Sequence, residues 1–350
     1  LPISGGNPSG GNGIVESTFA APVLSWEIEK KFNVGVDLGF FDNRIDITAD
    51  YFFNRREDIL IQRKIVPKTL GFRVNPWQNF GIVDNKGLDG SLTLNHQFGD
   101  LKVSARGNIT YVRNEIVEYD EVPSKYNYQN YTGQSIGQPY CYIAEGLYTP
   151  DDFTTTTTST EGYLYELKAD VPKPAANVAP GDIKYKDLNG DGLINEYDMT
   201  YENGLNSTNP ELVYGFGLNL EYKGFFAGIF FQGVGKTTVN LMSNSNYFMP
   251  FIRGVEGGSA RMEALSHWSA DNPYNQDVLY PRIHAAKFDH NIEKSTWWYR
   301  DGSFLRLKNV EFGYEFSKDM IKKMRMTNLR LYVQGTNLAV WDNIKLWDPE

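Results

Sequence analysis

The 350-residue sequence has almost no cysteine, no long apolar run and no excess of positive charge. Its single cysteine, Cys141, excludes an internal disulfide framework and any CxxC metal site, because both need several thiols. A transmembrane helix is excluded as well, because the sequence contains no apolar run of about 18 residues. The formal net charge of -9 disfavours binding to phosphate backbones, so we expect no nucleic-acid partner.

A recognisable signal peptide is also missing from the sequence. Residues 1–13 are rich in Gly, Ser, Asn and Pro, and they lack the basic and apolar segments of such a signal. At the other end, Asp348 to Glu350 directly follow a segment with the pattern of a strand. We therefore expect the sequence to be truncated at both ends.

Aromatic residues are abundant, at 14% of the chain, and they lie in segments where apolar and polar residues alternate. Alternation with period two predicts strands whose two faces meet different surroundings. In the first such segment, the apolar residues Phe32 to Phe40 alternate with polar residues and glycine. The predicted strands are 31–40, 45–54, 88–95, 101–111, 212–222, 225–231, 303–316 and 329–338.

The connections between the predicted strands alternate between short and long. The short ones are 41–44, 99–100, 223–224 and 317–328, the last with helical turns over Lys318 to Met324. The long ones are 55–86, 113–211 and 232–297. Aromatic residues flank the short turns, as in the girdle at a membrane interface. This asymmetry favours an all-β fold, a transmembrane antiparallel β-barrel with short periplasmic turns and long extracellular loops. The alternation alone also fits a soluble β-sandwich or jelly roll with its apolar face as core.

Several segments are similar to those of the SusC/RagA family of TonB-linked outer-membrane proteins. They are Leu24 to Glu27, Asn79 to Gly87, Pro180 to Thr200, Tyr214 to Gly233, Tyr280 to Arg282, Tyr299 to Tyr314 and Gln334 to Leu338. Their order and spacing through nearly the whole chain make the resemblance specific. Residues 154–179 match no such segment, and we expect them to be an extracellular insertion.

The resemblance implies that residues 1–350 are part of one TonB-dependent receptor β-barrel of about 22 strands, of which they supply nine or ten. The plug domain and the last strands would be absent. It also implies active import of oligosaccharides, or of peptides, across the outer membrane of a bacterium. The expected partners are a SusD-like surface lipoprotein, outer-membrane lipid, and the TonB-ExbB-ExbD complex acting through the missing N-terminal part. A passive porin and a secreted carbohydrate-binding or adhesin module are the alternatives.

One segment, 187–198, has the residue spacing of a calcium-binding loop. Such loops use oxygen ligands at positions 1, 3, 5, 7, 9 and 12, with glycine at position 6. The residues at the ligand positions are Asp187, Asn189, Asp191, Leu193 (through its carbonyl), Asn195 and Asp198. The segment departs from the pattern in having Asp instead of Glu at position 12 and no obvious flanking helices. It therefore predicts a Ca²⁺ site, and the alternative is an Asx-rich turn without metal.

The remaining motifs do not predict catalysis, and we expect no enzyme and no organic cofactor. Gly233 to Thr237 resembles part of a phosphate-binding loop, but Phe230 occupies the position of its first glycine. The four histidines have no metal-ligand spacing and are interpreted as ordinary loop or surface residues. Trp77, Tyr247 and Trp268 are candidate contacts with substrate or partner, because aromatic faces stack on sugars or pack on proteins. Their alternative roles are loop packing and anchoring at the membrane interface.

Overall fold

The computed structural model describes residues 24–67, 69, 74–159, 162–242, 248–251, 261–322 and 326–349. Within these residues, no helix has the length and apolarity needed to cross a membrane. Eight long strands form one antiparallel sheet, in which chain neighbours are also neighbours in space. They are β1 (Ile28–Phe40), β2 (Ile45–Gln62), β3 (Trp77–Phe98), β4 (Leu101–Glu118), β13 (Leu212–Tyr222), β14 (Phe225–Gly235), β17 (Phe304–Glu315) and β18 (Arg330–Asp342).

The remaining elements are short and lie in the connections. The short strands are β5 (Cys141–Tyr142), β6 (Ala144–Leu147), β7 (Phe153–Ser159), β8 (Gly162–Leu167), β9 (Lys173–Pro174), β10 (Ile183–Tyr185), β11 (Leu193–Ile194), β12 (Met199–Thr200), β15 (Thr238–Asn240) and β16 (Tyr299–Asp301). The α-helices are α1 (Asp289–Ile292) and α2 (Lys318–Lys322). The 3₁₀ turns are Asn127–Gln129, Pro150–Asp152, Glu196–Asp198, Met262–Leu265 and Thr296–Trp298.

The sheet confirms the predicted all-β fold, with two corrections. The first concerns β2 and β3, whose pairing extends past the alternating segments to Gln62 and Trp77. Their connection is therefore residues 63–76 and not 55–86. The pairing continues because backbone hydrogen bonds hold charged residues such as Arg55 and Asp84 in register. A bulge at Asp58, with φ 55°, shifts the register before the pairing continues from Ile59 to Gln62.

The second correction is the number of long strands. The described residues contribute eight strands to the large sheet, and not nine or ten. In the described part of the chain, β1 and β18 form the two edges of this sheet. The predicted insertion at 154–179 includes the two-stranded hairpin β7–β8.

The two longest connections, 119–211 and 236–303, are called the outer layer below. Both connections join strands at the end of the sheet opposite the short turns, because successive strands are antiparallel. The outer layer has its own apolar core, which includes Ile183, Tyr280 and Trp298, all at most 1% exposed. Its small sheets pair β6 with β10, β5 with β12 and β15 with β16. A connection with its own core can hold defined side-chain positions at the end of the sheet.

Candidate functional site

One face of the eight-stranded sheet is apolar from edge to edge. The register places Val36, Ala49, Gly90, Ile109 and Tyr214 on this face in neighbouring strands. Beyond β13 the face continues through apolar residues of the last three strands. They are Phe231, Ile229, Ala227, Phe225, Val310, Phe312, Tyr314, Val333 and Leu331.

This apolar face is exposed, although large hydrophobic side chains cover it. Phe32 is 57% exposed, Leu88 56% and Phe216 44%. A soluble sandwich would bury such a face under a second sheet. In the part of the chain that the structure describes, each further sheet has only two strands. The apolar face is therefore suited to lipid, and the soluble sandwich or jelly-roll alternative does not fit.

The height of the apolar face matches a membrane. On β13 the face runs from Leu212 to Tyr222, which is about 34 Å along the strand at about 3.4 Å per residue. At the usual tilt of barrel strands, about 40°, this length gives a band about 26 Å high, close to that of outer-membrane barrels. At the turn end, Tyr222, Phe225 and Tyr314 lie side by side on this face. They form the aromatic girdle predicted from the sequence.

The opposite face of the sheet is polar and carries paired charges. Thr48 donates a hydrogen bond to Asp37 (2.8 Å), and Thr110 donates one to Asp89 (2.6 Å). Further along this face, Lys102 pairs with Glu221 at 3.2 Å. Exposed surface pairs of this kind add little stability, so their main effect is to give this face a charged, water-compatible surface. A polar face behind a lipid-facing one is the arrangement of a barrel lumen.

Aromatic rings also lie on the polar face, each against a glycine. The Phe230 ring covers Gly217, and a Cβ added to that glycine would lie 2.9 Å from Phe230 Cδ2. The Arg106 guanidinium lies 5.4 Å from the centroid of the same ring. Another guanidinium, that of Arg330, lies 3.8 Å from the centroid of the Phe226 ring. The glycines let the rings lie close to the sheet, so the inward face combines apolar rings with guanidinium groups.

The outer layer is held together by a buried carboxylate, Asp182, which is 0% exposed. Arg282 donates to both of its oxygens, from Nε to Oδ1 at 3.1 Å and from Nη2 to Oδ2 at 2.8 Å. Asn291 Nδ2 donates to Oδ1 at 2.9 Å, and His284 Nε2 lies 2.9 Å from the same oxygen. The backbone amide of Ala179 donates to Oδ2 at 2.8 Å. We call these five residues the Asp182 cluster; it joins two segments about a hundred positions apart.

The electrostatics of the Asp182 cluster favour the ionised carboxylate. Burial alone would raise the pKa of Asp182, but the bonds to His284, Arg282, Ala179 and Asn291 outweigh it and lower that pKa. Next to the cluster, His290 Nε2 lies 2.7 Å from the Ile183 carbonyl oxygen, and burial lowers the His290 pKa. His290 is therefore a buried residue and not a surface one.

The sequence did not predict the Asp182 cluster, although it gave a signal. Asp182 lies in one segment with family-like sequence, and Arg282 closes another such segment, Tyr280 to Arg282. Two such segments can be close in space even when they are far apart in the sequence. The histidine of the cluster, His284, was interpreted as an ordinary loop residue, yet its ring contacts the buried carboxylate.

The predicted calcium loop folds as a series of turns closed by its own side chains. Asp187 accepts backbone hydrogen bonds from Gly190 (2.7 Å) and Gly192 (2.8 Å). Both glycines have positive φ, 73° and 79°, as the tight wrapping of such a loop requires. Asn189, Asp191 and Asn195 each accept an amide hydrogen bond from the residue two positions later. These are the bonds of consecutive Asx turns.

Asp198 closes this loop from the buried side. Its Oδ1 accepts from the Leu188 amide at 2.9 Å, and its Oδ2 accepts from the Asn195 amide at 2.9 Å. Burial raises the Asp198 pKa despite these bonds, and the nearby Asp187 adds to the rise. Over the described residues, no three Asp, Glu, His or Cys side chains form a group that could hold a metal ion. Metal binding by the loop, to which Leu193 would contribute a carbonyl, remains a prediction.

The three candidate contact aromatics lie in different surroundings. Trp77 is exposed at the loop-side start of β3. Trp268 is half-buried: its ring covers Gly181, and its Nε1 donates to the Pro273 carbonyl at 3.1 Å. Tyr247 lies outside the described residues. The structure thus gives Trp268 a packing role, and ligand contact by any of the three remains a prediction.

No family model matches the chain. It is 28% identical to TonB-dependent receptor P3 of Formosa agariphila over 354 residues, 97% of this chain and 32% of that protein. It is 24% identical to TonB-dependent receptor SusC of Bacteroides thetaiotaomicron over 358 residues, 93% of this chain and 30% of that protein. The chain therefore spans about a third of the length of these relatives, which are named as receptors and not as enzymes.

The fold matches a solved structure as well. The structure of the RagAB peptide transporter superposes with a TM-score of 0.66 at 23% identity, covering 99% of this chain and 35% of that one. A match at this identity shows the fold alone. The chain is similar along nearly its whole length to TonB-dependent receptors, and its fold is that of the SusC/RagA-like β-barrel proteins of the bacterial outer membrane.

Proposed function

We propose that this chain forms part of the wall and of the extracellular loop layer of a TonB-dependent importer for oligosaccharides or peptides. The observation that carries the proposal is the sheet itself. It has a lipid-facing apolar band about 26 Å high, a polar inner face, and its longest connections at one end. A passive porin is the alternative within transport, and dependence of uptake on TonB distinguishes the two.

The inner face supports cargo that carries many hydrogen-bonding groups. Its aromatic rings can stack on sugars or on apolar side chains of peptides, while Arg106 and Lys102 can bond hydroxyl or carboxylate groups. The RagAB structure is that of a peptide transporter, which keeps peptides alongside oligosaccharides as cargo. We expect the import energy to come from TonB-ExbB-ExbD acting on parts of the whole protein other than these strands.

The outer layer supports docking of a SusD-like lipoprotein. Met262 and Leu265 are 79% and 77% exposed in one short 3₁₀ turn of this layer. Exposed apolar side chains of this kind are typical of protein contacts. We expect the double substitution Met262→Ser and Leu265→Ser in the full-length protein to weaken co-purification of the lipoprotein. Unchanged co-purification would exclude this turn from the contact.

Uptake of defined cargo tests the proposed function. Cells lacking the full-length gene should lose growth on one class of polymer-derived fragment, either oligosaccharides or peptides, supplied as the sole carbon source. Complementation should restore growth only when TonB is present. Growth that is independent of TonB would favour the porin, and unchanged growth on both classes would contradict the import proposal.

Cysteine labelling tests the orientation of the sheet. Glu202→Cys, at an exposed position of the outer layer outside the proposed docking turn, should react with a membrane-impermeant maleimide in intact cells, whereas Asp100→Cys at a short turn should react only after lysis. The native Cys141 gives little background, because it is buried and desolvation raises its pKa to about 12. Any other cysteine of the full-length protein is replaced beforehand. Reversed labelling would place the outer layer in the periplasm.

We also propose that the loop 187–198 binds Ca²⁺. Support comes from the spacing of its oxygen-bearing side chains and from the tight turns at Gly190 and Gly192, whose positive φ wraps the loop around Asp187. Millimolar Ca²⁺ should raise the Tm of the chelator-treated full-length protein by a few degrees, and the double variant Asp187→Asn and Asp191→Asn should lose this shift. Matched substitutions at Asp170 and Asp271, exposed in the same layer, should keep it. An absence of heat in calorimetric titration at millimolar Ca²⁺ would refute the site.

A further inference from the structure

Two like charges face each other on the lipid-facing side of the sheet, directly beyond the apolar band. Lys86 lies opposite Arg113 in β3 and β4. The next pair on the same face, two residues along each strand, is Leu88 and Tyr111. Like charges placed directly opposite destabilise a sheet unless something neutralises them. Both side chains are exposed, and Lys86 has no ion pair within the described residues.

A third cation joins this pair. Lys236 follows β14 and is exposed, and its Nζ lies 4.9 Å from the centroid of the Tyr111 ring and 3.4 Å from the Tyr111 hydroxyl. Tyr111 is on the apolar face, opposite both Leu88 and Leu212. Lys86, Arg113 and Lys236 thus surround the upper edge of the apolar band at one place, which we call the basic collar.

Acidic groups near the basic collar are partly occupied by other cations. Asp84 Oδ2 lies 3.5 Å from Arg55 Nη1, and Glu57 pairs with Arg55 at 3.1 Å. Glu57 also pairs with Lys30. The remaining acids are Glu115, which is exposed, and Glu211, whose Oε1 is 3.9 Å from Arg113 Nε. The distance between Arg113 and Glu211 is long for an ion pair. Lys86 and Lys236 form no ion pair within the described residues, so both can contact an external anion.

We propose that the basic collar binds a phosphate group of a lipid headgroup in the outer leaflet of the outer membrane. The position decides the ligand: the three cations lie on the lipid-facing surface, at the loop end, where the apolar band stops. Headgroup phosphates lie at this level, and basic side chains near a membrane surface attract them. Arginine can bind a phosphate with two hydrogen bonds, whereas lysine acts as a point charge.

The inference depends on the orientation proposed above, which the cysteine labelling tests separately. The full-length protein in detergent is mixed with lipid A that carries two phosphates, and bound lipid is counted by native mass spectrometry. The triple variant Lys86→Gln, Arg113→Gln and Lys236→Gln should bind about fivefold less lipid for each cation removed. The variant Lys86→Arg should bind like the wild type. The matched control removes three cations from the inner face, at Lys31, Lys102 and Arg106, and should leave binding unchanged.

Three results would overturn the inference. Equal binding by the triple variant would show that the basic collar does not hold the lipid. An equal loss in the inner-face control would show that only net charge matters. Equal binding of the dephosphorylated lipid would show that the phosphate is not recognised. Because TonB-dependent uptake is measured in a separate assay, failure here leaves the proposed function in place.

Discussion

Replacing Asp182 by Asn should open the outer layer while leaving the sheet folded. The substitution keeps the size of the side chain but removes the charge that Arg282 and His284 contact, and it leaves Arg282 without its buried partner. Breaking a buried ion pair by removing one partner costs about 3–5 kcal/mol. Amide hydrogen exchange at Ala179 and Ile183 reports the change directly, because both amides are bonded within or beside the Asp182 cluster. Their exchange should become at least about a hundredfold faster.

The matched control for this substitution is Asp151→Asn. Asp151 carries the same charge in the same layer, but it is exposed, and among the described residues its side chain accepts a hydrogen bond only from the Tyr274 hydroxyl, at 3.3 Å. Its loss should change exchange at Ala179 and Ile183 by less than about twofold, since exposed contacts add little stability. Equal acceleration in both variants would mean that the layer responds to net charge and not to the Asp182 cluster.

The same cluster predicts how the outer layer responds to acid. The pKa of Asp182 is lowered in the folded protein, so its contribution to stability is fully present above the unfolded-state pKa of about 3.9. That contribution is lost as pH falls from there through the folded-state pKa. Exchange at Ala179 in the wild type should therefore gain an acid-induced acceleration over this window, beyond the intrinsic pH dependence of exchange. The Asp182→Asn variant should lack it.

The sequence predicts the strands well and their ends poorly, for one physical reason. Where a strand crosses lipid, one face must be apolar, so residues such as Val34 and Leu218 produce alternation that can be read directly. Past the membrane, β2 and β3 still pair through their backbones, but both faces meet water. The side chains there, such as Arg55 and Asp84, carry no alternation. The predicted long loop at 55–86 is the result of that lost signal.

The outer layer shows the opposite limit. Its core depends on contacts between segments that are distant in the chain, and no local pattern places Asp182 beside Arg282. Short loop motifs such as 187–198 can be recognised, because their bonds join residues two to ten positions apart. The strands of the large sheet can therefore be predicted from local alternation. The fold of the outer layer depends on long-range contacts, which local sequence patterns do not reveal.

Placing an arginine at Leu218 should destabilise the membrane-inserted protein, whereas an arginine at the next residue should not. Leu218 lies near the middle of the apolar band, between Ala105 and Ile229, and its side chain faces lipid. A charge at the bilayer midplane costs an outer-membrane barrel about 2–4 kcal/mol. Urea unfolding of the full-length protein folded into lipid vesicles should show this loss for Leu218→Arg.

The control Asn219→Arg adds the same side chain one residue further along β13, on the inner face. There the new guanidinium would meet the acidic residues Glu221 and Glu311, which line a cavity with Asn219 on that side of the sheet. We expect a change of less than about 1 kcal/mol, since the inner face is polar and a charge there avoids hydrocarbon. Equal losses at the two positions would contradict a lipid-facing assignment of the apolar face. A loss at Asn219 alone would reverse the two faces, because the alternation allows only one of them to contact lipid.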